Sequence, residues 1–291
     1  MAFGKSTPGG ARIAAGLHFV STPIGAARDI TLRALDVLTG ADVLAAEDTR
    51  TLRHLMELHG VAVADRPLIA YHDHNGKAVR PRLIALLKEG KSVAYASEAG
   101  TPLVADPGYQ LARAAIDAGV TVLAAPGASA VLYALTVSGL ASDRFFFAGF
   151  LPPRSSSRKT ALREVAAVPA TLIFYESPKR IAATLRDMAE VLGGARQAAV
   201  CRELTKLYEE VSRDSLAALA EAYGARVAKG EIVVVVDRAV AQVAGPEVVE
   251  AALAVALETL SLKDAAAKVA LDLGLPKRDV YQLALAMDAE E

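Results

Sequence analysis

The sequence predicts an α/β protein: two α/β domains of related type with a cleft between them, followed by a small C-terminal helical domain. Three observations predict it. Short apolar runs alternate with helically spaced apolar residues from Leu17 to Asp237, which is the signature of strands joined through helices. Hydrophobic residues make up 53% of the chain while aromatics make up 5% and Trp is absent, so the excess is Ala, Val and Leu, the usage of packed helices and buried strands. At 291 residues the chain is too long for one small core.

In order, the first sixteen residues are rich in Gly and Ala and carry Lys5 and Arg12 without an apolar stretch; they read as a flexible arm and not a secretory signal. Strands are expected at Leu17–Ser21, Asp42–Ala46, Leu68–Tyr71, Ser92–Ser97 and Val120–Ala125, with helices at Thr31–Thr39, Thr51–Gly60, Val79–Glu89 and Tyr109–Ala118 between them. Such alternation implies a largely parallel sheet and a first domain over 17–130. After a helix at Val131–Leu140 a second domain over 131–240 is expected to hold a mixed sheet. Its strands are Phe145–Gly149, Thr171–Tyr175, Ala198–Arg202 and Glu231–Asp237, its helices Arg180–Leu192 and Leu216–Ala228, and Glu203–Ser212 is compatible with a strand pair. The tail over 246–291 is Ala-rich. Ser261 caps a helix with Asp264 three residues on, Gly274 ends it, and Pro276 opens another, a helix-turn-helix outline.

Composition also narrows function. The single cysteine, Cys201, excludes an internal disulfide framework and fits a reducing, cytoplasmic setting. Val120–Ala141 is uncharged and long enough to span a bilayer, yet Pro126-Gly127 and Ser138-Gly139 interrupt it, so strand, turn and buried helix explain it and no membrane partner is expected. The net charge of −1 supplies no global field for nucleic acid, so an RNA partner would have to be held by local basic clusters.

No G-x-G-x-x-G follows a strand, which argues against a dinucleotide site. What remains is a set of small-residue loops after three strands: Thr22-Pro-Ile-Gly25, Ser97-Glu-Ala-Gly-Thr-Pro102 and Pro126-Gly-Ala-Ser-Ala130. Each alone is an ordinary turn. Together, at one edge of one sheet, they let backbone approach a ligand closely.

Longer motifs accompany them: Ser21-Thr-Pro-Ile-Gly25, Ala46-Glu-Asp-Thr-Arg50, Tyr71-His-Asp-His-Asn75, Asp106-Pro-Gly-Tyr109, Ser142-Asp-Arg-Phe145, Gly149-Phe-Leu-Pro152, Phe174-Tyr-Glu-Ser-Pro178 and Arg202-Glu-Leu-Thr-Lys206. With these the chain resembles the ribosomal RNA small-subunit methyltransferase I family of the tetrapyrrole (corrin/porphyrin) methylase superfamily. The resemblance implies S-adenosylmethionine in the cleft and 2′-O-methylation of a cytidine ribose in the decoding region of 16S rRNA, free or in the 30S subunit, by a homodimer. It implies a cofactor site built from Pro23, Gly25, Ser97, Ala99, Gly100, Thr101, Gly127 and Ser129, with Leu204 and Gly230 from the second domain. Three positions depart from the family pattern: Glu98 stands for its usual Asp, Ala26 for a frequent Asn, and Ala128 for Pro.

Methyl transfer to a hydroxyl needs positioning and a group that accepts the proton. Glu47, Asp48 and Glu98 at strand ends are candidates, and Arg202 is a candidate to stabilise developing negative charge. Glu47-Asp48-Thr49-Arg50 has a second reading, a helix cap with first-turn acids. For RNA contact the candidates are Arg50, His72, His74, Asn75, a flexible basic loop carrying Arg154, Arg158 and Lys159, then Lys179, Arg180, Lys277 and Arg278. His72 and His74 lack further ligands at metal-binding spacing, so no metal is expected. Two alternatives stay open: a tetrapyrrole C-methyltransferase with the same cofactor, and a non-catalytic RNA-binding factor of the same fold.

Overall fold

The computed structural model describes residues 13–105, 108–239 and 246–290. Asp106 and Pro107, and the arm up to residue 12, lie outside them. Of that arm's last residues, Ile13 packs on the core below.

The first sheet has five strands, β1 (Gly16–Val20), β2 (Val43–Ala46), β3 (Leu68–Ala70), β4 (Ser92–Ala96) and β5 (Val122–Ala125). They run parallel in the order β3-β2-β4-β1-β5. Parallel strands need crossovers, and these are α1 (Leu32–Gly40), α2 (Thr49–Leu58), α3 (Gly76–Lys88) and α4 (Tyr109–Asp117). Both faces of the sheet are covered. Leu17, Phe19, Tyr95 and Leu111 belong to one apolar cluster, and Val20, Leu38, Leu44 and Met56 to the other. That explains why β1, β2 and β4 are buried at every position and read as continuous apolar runs. Parallelism has one consequence for function: the loops after β1, β4 and β5, adjacent strands, leave from the same edge.

The second sheet is mixed, in the order β6-β7-β10-β8-β9. It comprises β6 (Phe145–Phe150), β7 (Thr171–Glu176), β8 (Gln197–Arg202), β9 (Glu210–Ser215) and β10 (Ile232–Val236). Only the β6–β7 pair is parallel. The central β10, Ile-Val-Val-Val-Val, is fully buried. One face of this sheet carries α6 (Ser155–Val165), α7 (Ile181–Leu192) and α8 (Leu216–Gly224). The other receives α5 (Ala130–Ser138), whose Val131, Ala134 and Leu135 pack with Ile173, Val233 and Val235. Ile24, from the loop after β1, and Leu204, from the loop after β8, join that same cluster, so the two sheets are mortised where their loops meet.

Two expectations are corrected. Glu203–Ser212 does not form a strand pair: only β9 is extended, and the chain from Glu203 to Glu209 is a tight loop. Glu203 and Thr205 adopt left-handed conformations (φ 51° and 62°), and the Glu209 carboxylate accepts the Thr205 N–H at 2.7 Å. A residue with left-handed φ breaks an extended run. The basic segment from Arg154 is not a flexible loop either. It is helix α6, and Arg158 is its buried face: 3% exposed, with Nε 2.7 Å from Asp187 of α7 and Nη2 at 2.6 Å.

Residues 239–291 form a second compact unit. Its helices α9 (Pro246–Leu257), α10 (Leu262–Leu273) and α11 (Lys277–Glu290) share a core of Val249, Leu253, Ala266, Val269, Val280 and Ala284. Ser261 caps α10 as expected, accepting the Asp264 N–H at 3.3 Å and donating to its carboxylate at 2.6 Å. Gly274 closes it in a left-handed conformation (φ 65°), the usual helix stop. No helix among the described residues is long and apolar enough to cross a membrane.

Candidate active site

Three loops are laced together at the shared edge of the first sheet. Thr22 and Gly100 exchange both backbone hydrogen bonds (3.0 and 3.1 Å), tying the loop after β1 to the loop after β4. Thr101 Oγ1 donates to the Ala128 carbonyl at 2.9 Å, tying the latter to the loop after β5. Gly100 sits at φ +78°, where a side chain would be strained. Leu103 and Ala105 in the same loop take left-handed φ of 73° and 56°, a concentration of backbone strain of the sort ligand-binding loops carry.

Facing these loops is the end of the second sheet. Glu203 is held ionised below the usual carboxylate range, first by a hydrogen bond from Lys206 and then by the Glu231 N–H. Burial works against the Lys206 charge, but Glu203 and Glu231 outweigh it and raise its pKa. The loops interlock at a glycine: a Cβ on Gly25 would lie 2.5 Å from Thr205 Oγ1 and 2.6 Å from Lys206 Cγ. Thr205 Oγ1 also accepts the Ala26 N–H at 3.0 Å.

Between these walls lies a cavity of about 690 Å³, within the range of cofactor sites. Of the residues singled out from sequence, it is lined by Pro23, Gly25, Ala99, Gly100, Thr101, Ser129, Leu204 and Gly230, and by Glu47 and Glu98. Ser97 and Gly127 stand behind the lining. Ser97 Oγ donates to the Gly100 carbonyl at 2.7 Å, and Gly127 lets its loop close on Ser21, where a Cβ would come within 2.8 Å.

Sequence reading missed Thr51, Phe150, Tyr175, Ser177, Pro178, Lys206 and Glu231 of the lining. Most lie in motifs that were visible but carried no assigned role. Phe150 and Tyr175 stack edge to face at 5.5 Å, giving the cavity one aromatic wall. Glu176, fully buried, accepts from Arg180, Thr184 and the Ser177 N–H, and so fixes the turn that carries Ser177 and Pro178.

Other candidates lie elsewhere. Asp48 caps α2 through the Arg50 and Thr51 N–H groups, and the Arg50 side chain and N–H hold it well below the usual carboxylate range. Arg50 is otherwise in solvent. The Asn75 amide is spent on its own loop, donating to Ala70 and accepting from the His72 N–H. His72 and His74 pack edge to face at the end of β3. Among the described residues no group of three potential metal ligands converges. Arg154 and Lys179 are exposed, Lys159 pairs with Glu190 at 2.6 Å, and Arg180 donates to Leu151 and Glu176. Lys277 and Arg278 are exposed at the start of α11 in the second unit. Arg202 faces a different, smaller pocket.

The Tetrapyrrole (Corrin/Porphyrin) Methylases family model matches residues 16–220, and the RsmI C-terminal HTH domain model matches 242–288. The chain is 48% identical to the ribosomal RNA small subunit methyltransferase I of Mesorhizobium japonicum over 93% of its own length and 92% of the relative's. The chain belongs to the ribosomal RNA small subunit methyltransferase I family. The Vibrio cholerae member is 43% identical over 97% of both chains. Uroporphyrin-III C-methyltransferase of Thermus thermophilus, solved in complex with S-adenyl homocysteine, shares the fold alone. Its TM-score is 0.53 at 19% identity, over 76% of this chain and 96% of that one. Like other members of the family, the chain is a methyltransferase built on two α/β sheets.

The tight contact at Gly230 gives a test of the cavity wall. Gly230 has φ +83°, and a Cβ there would lie 2.3 Å from Glu203 Cδ. Gly230→Ala is expected to displace the Glu203 carboxylate and leave Lys206 paired with Glu231 alone, costing about 1–3 kcal/mol in a denaturant melt and weakening cofactor binding measured by calorimetry.

Proposed function

We propose that the chain transfers a methyl group from S-adenosylmethionine to the 2′-hydroxyl of a cytidine ribose in the decoding region of 16S rRNA. We assign it a homodimeric, cytoplasmic form acting on the 30S subunit. The observation that carries the reading is the cavity where the three laced loops of the first sheet meet the Leu204 and Gly230 segments of the second. The names of the relatives, aligned over nearly the whole chain, support rRNA as the substrate.

The residues fit S-adenosylmethionine. Small side chains at Gly25, Ala99 and Ser129 let backbone approach an adenine or an amino-acid moiety closely. Gly100, whose own N–H and C=O are bonded to Thr22, keeps the lining free of a side chain, and Phe150 with Tyr175 offers an aromatic face. Pro23, Thr101, Leu204 and Gly230 complete the enclosure. Bound there, the cofactor supplies a methyl group on a sulfonium, open to in-line attack. The protein's part is to orient the ribose, exclude water and take up the hydroxyl proton. Glu47 at the end of β2 and Glu98 in the loop after the neighbouring β4 line the same cavity, and we assign proton acceptance to this pair.

Tritium transfer from labelled S-adenosylmethionine to small ribosomal subunits that lack the modification tests the reading, with nuclease mapping of the label. Label on one cytidine ribose is expected. Cofactor binding with label only on a porphyrinoid would replace the assignment by tetrapyrrole C-methylation, and failure to bind cofactor would leave only an RNA-binding role.

A further inference from the structure

A second pocket, of about 170 Å³, lies beside the large cavity and is lined by Arg202, Glu210, Arg226, Val227, Ala228 and Lys229. The two share chain segments. Arg202 ends β8 two residues before Leu204, and Lys229 immediately precedes Gly230, while Leu204 and Gly230 line the large cavity.

Its two guanidiniums are fixed in place. One Glu210 oxygen accepts from Arg202 Nε and Nη2 at 3.0 and 2.9 Å, and the other takes Arg226 Nη1 at 2.7 Å. Arg202 Nη1 also reaches the Lys229 carbonyl at 3.3 Å, and the Arg226 guanidinium lies 4.0 Å over the ring of buried Tyr223. The hydrogen bonds from Arg226, then from Arg202 and Ser212, keep the Glu210 carboxyl below its ordinary range despite burial. Lys229 is exposed and makes no salt bridge among the described residues. Two guanidiniums therefore flank one carboxylate and Lys229 lines the same pocket, leaving two positive charges in excess. The other acids nearby, Glu203 and Glu231, are both engaged by Lys206.

A purely structural pair needs one arginine for one carboxylate. Two guanidiniums held on one carboxylate, one of them 41% exposed at its side chain, form a preorganised receptor for an oxyanion because their conformational entropy is already spent, and exposed Lys229 in the same lining adds positive charge. We propose that this pocket binds a backbone phosphate of the RNA flanking the nucleotide in the cavity. Arg202, Arg226 and Lys229 then act as positioning residues that set which ribose reaches the cavity. The inference rests on the RNA reading above; a phosphodiester is the anion that substrate presents at every step.

The test uses the full chain with small ribosomal subunits as substrate across a chloride series. For the double variant Arg226→Gln/Lys229→Gln, the KM for subunits is expected to rise about tenfold. The dependence of log KM on log salt should become shallower by about one, while kcat at saturation and cofactor affinity stay at wild-type values. Arg226→Lys should recover part of the loss by restoring charge. Wild-type KM and salt slope in the double variant would overturn the inference, as would a lowered melting temperature with an unchanged slope, which would make the cluster a stability device. Neither result touches the RNA reading, which fails only if the wild-type enzyme labels no rRNA.

Discussion

Asp187→Ala is expected to lower the stability of the first compact unit, which ends at Arg238, by about 3–5 kcal/mol, and so to reduce its melting temperature by roughly 10 °C. The reason is what the substitution leaves behind. Asp187 is 7% exposed and Arg158 3%. The carboxylate takes Arg158 through two nitrogens and Ser155 Oγ at 2.9–3.0 Å. Its removal strands a guanidinium in a low-dielectric site with the Pro153 carbonyl at 3.2 Å as a remaining acceptor. Arg158→Ala should cost a similar amount. The double change Arg158→Met/Asp187→Leu should cost far less than the sum of the two, because it removes the charges together and fills the same space. Thermal melts of the four proteins, followed by circular dichroism, form the cycle; single variants within 1 kcal/mol of wild type would mean that water reaches the pair. Because α6 and α7 lie on the face of the second sheet away from α5, methyl transfer by surviving folded protein is expected to be unaffected.

The same pair shows where sequence reading stops. Arg158, Leu162 and Val165 stand at helical spacing and form the packed face of α6. One of those three is an arginine, however, and the neighbouring serines and charges gave the stretch the composition of a solvated loop. Its partner lies 29 residues away on another helix. Periodicity reports apolar faces and is blind to a buried ion pair. Asn75 and Asp48 are the local version of this limit. Both have residue types suited to RNA or proton chemistry, yet hydrogen bonds within a few residues employ them, which a cap pattern only raises as one reading of two.

What was legible followed from backbone rules. Strands buried on both faces announce themselves as unbroken Val, Leu and Ala runs, and parallel order sends their small-residue loops to one edge. From β1, β4 and β5 alone the cavity's near wall could be drawn. Of its far wall only Leu204 and Gly230 were named, through the family resemblance: Tyr175, Lys206 and Glu231 come from β7, the loop after β8 and the residue before β10, and only the antiparallel register of the second sheet, with Glu176 opposite Ile232 and Arg202 opposite Ile232, brings those ends together.

The larger catalytic effect is expected at Glu47. Glu47→Gln should lower kcat for methyl transfer by about 10²–10⁴-fold with cofactor affinity retained, and Glu98→Gln should lower it less. Both carboxylates line the cavity, but Glu47 is half-buried against the sheet, its N–H bonded to the Ala96 carbonyl, whereas Glu98 is exposed on a loop. Proton acceptance gains from a carboxylate whose backbone the sheet holds in place. The glutamine keeps shape and hydrogen bonding while removing the ability to take the proton, so a loss of kcat with melting temperature and cofactor affinity retained separates chemistry from structure. If both single variants and the double variant stay within tenfold of wild type in kcat, neither carboxylate takes the proton. The rate then comes from alignment of the ribose hydroxyl alone.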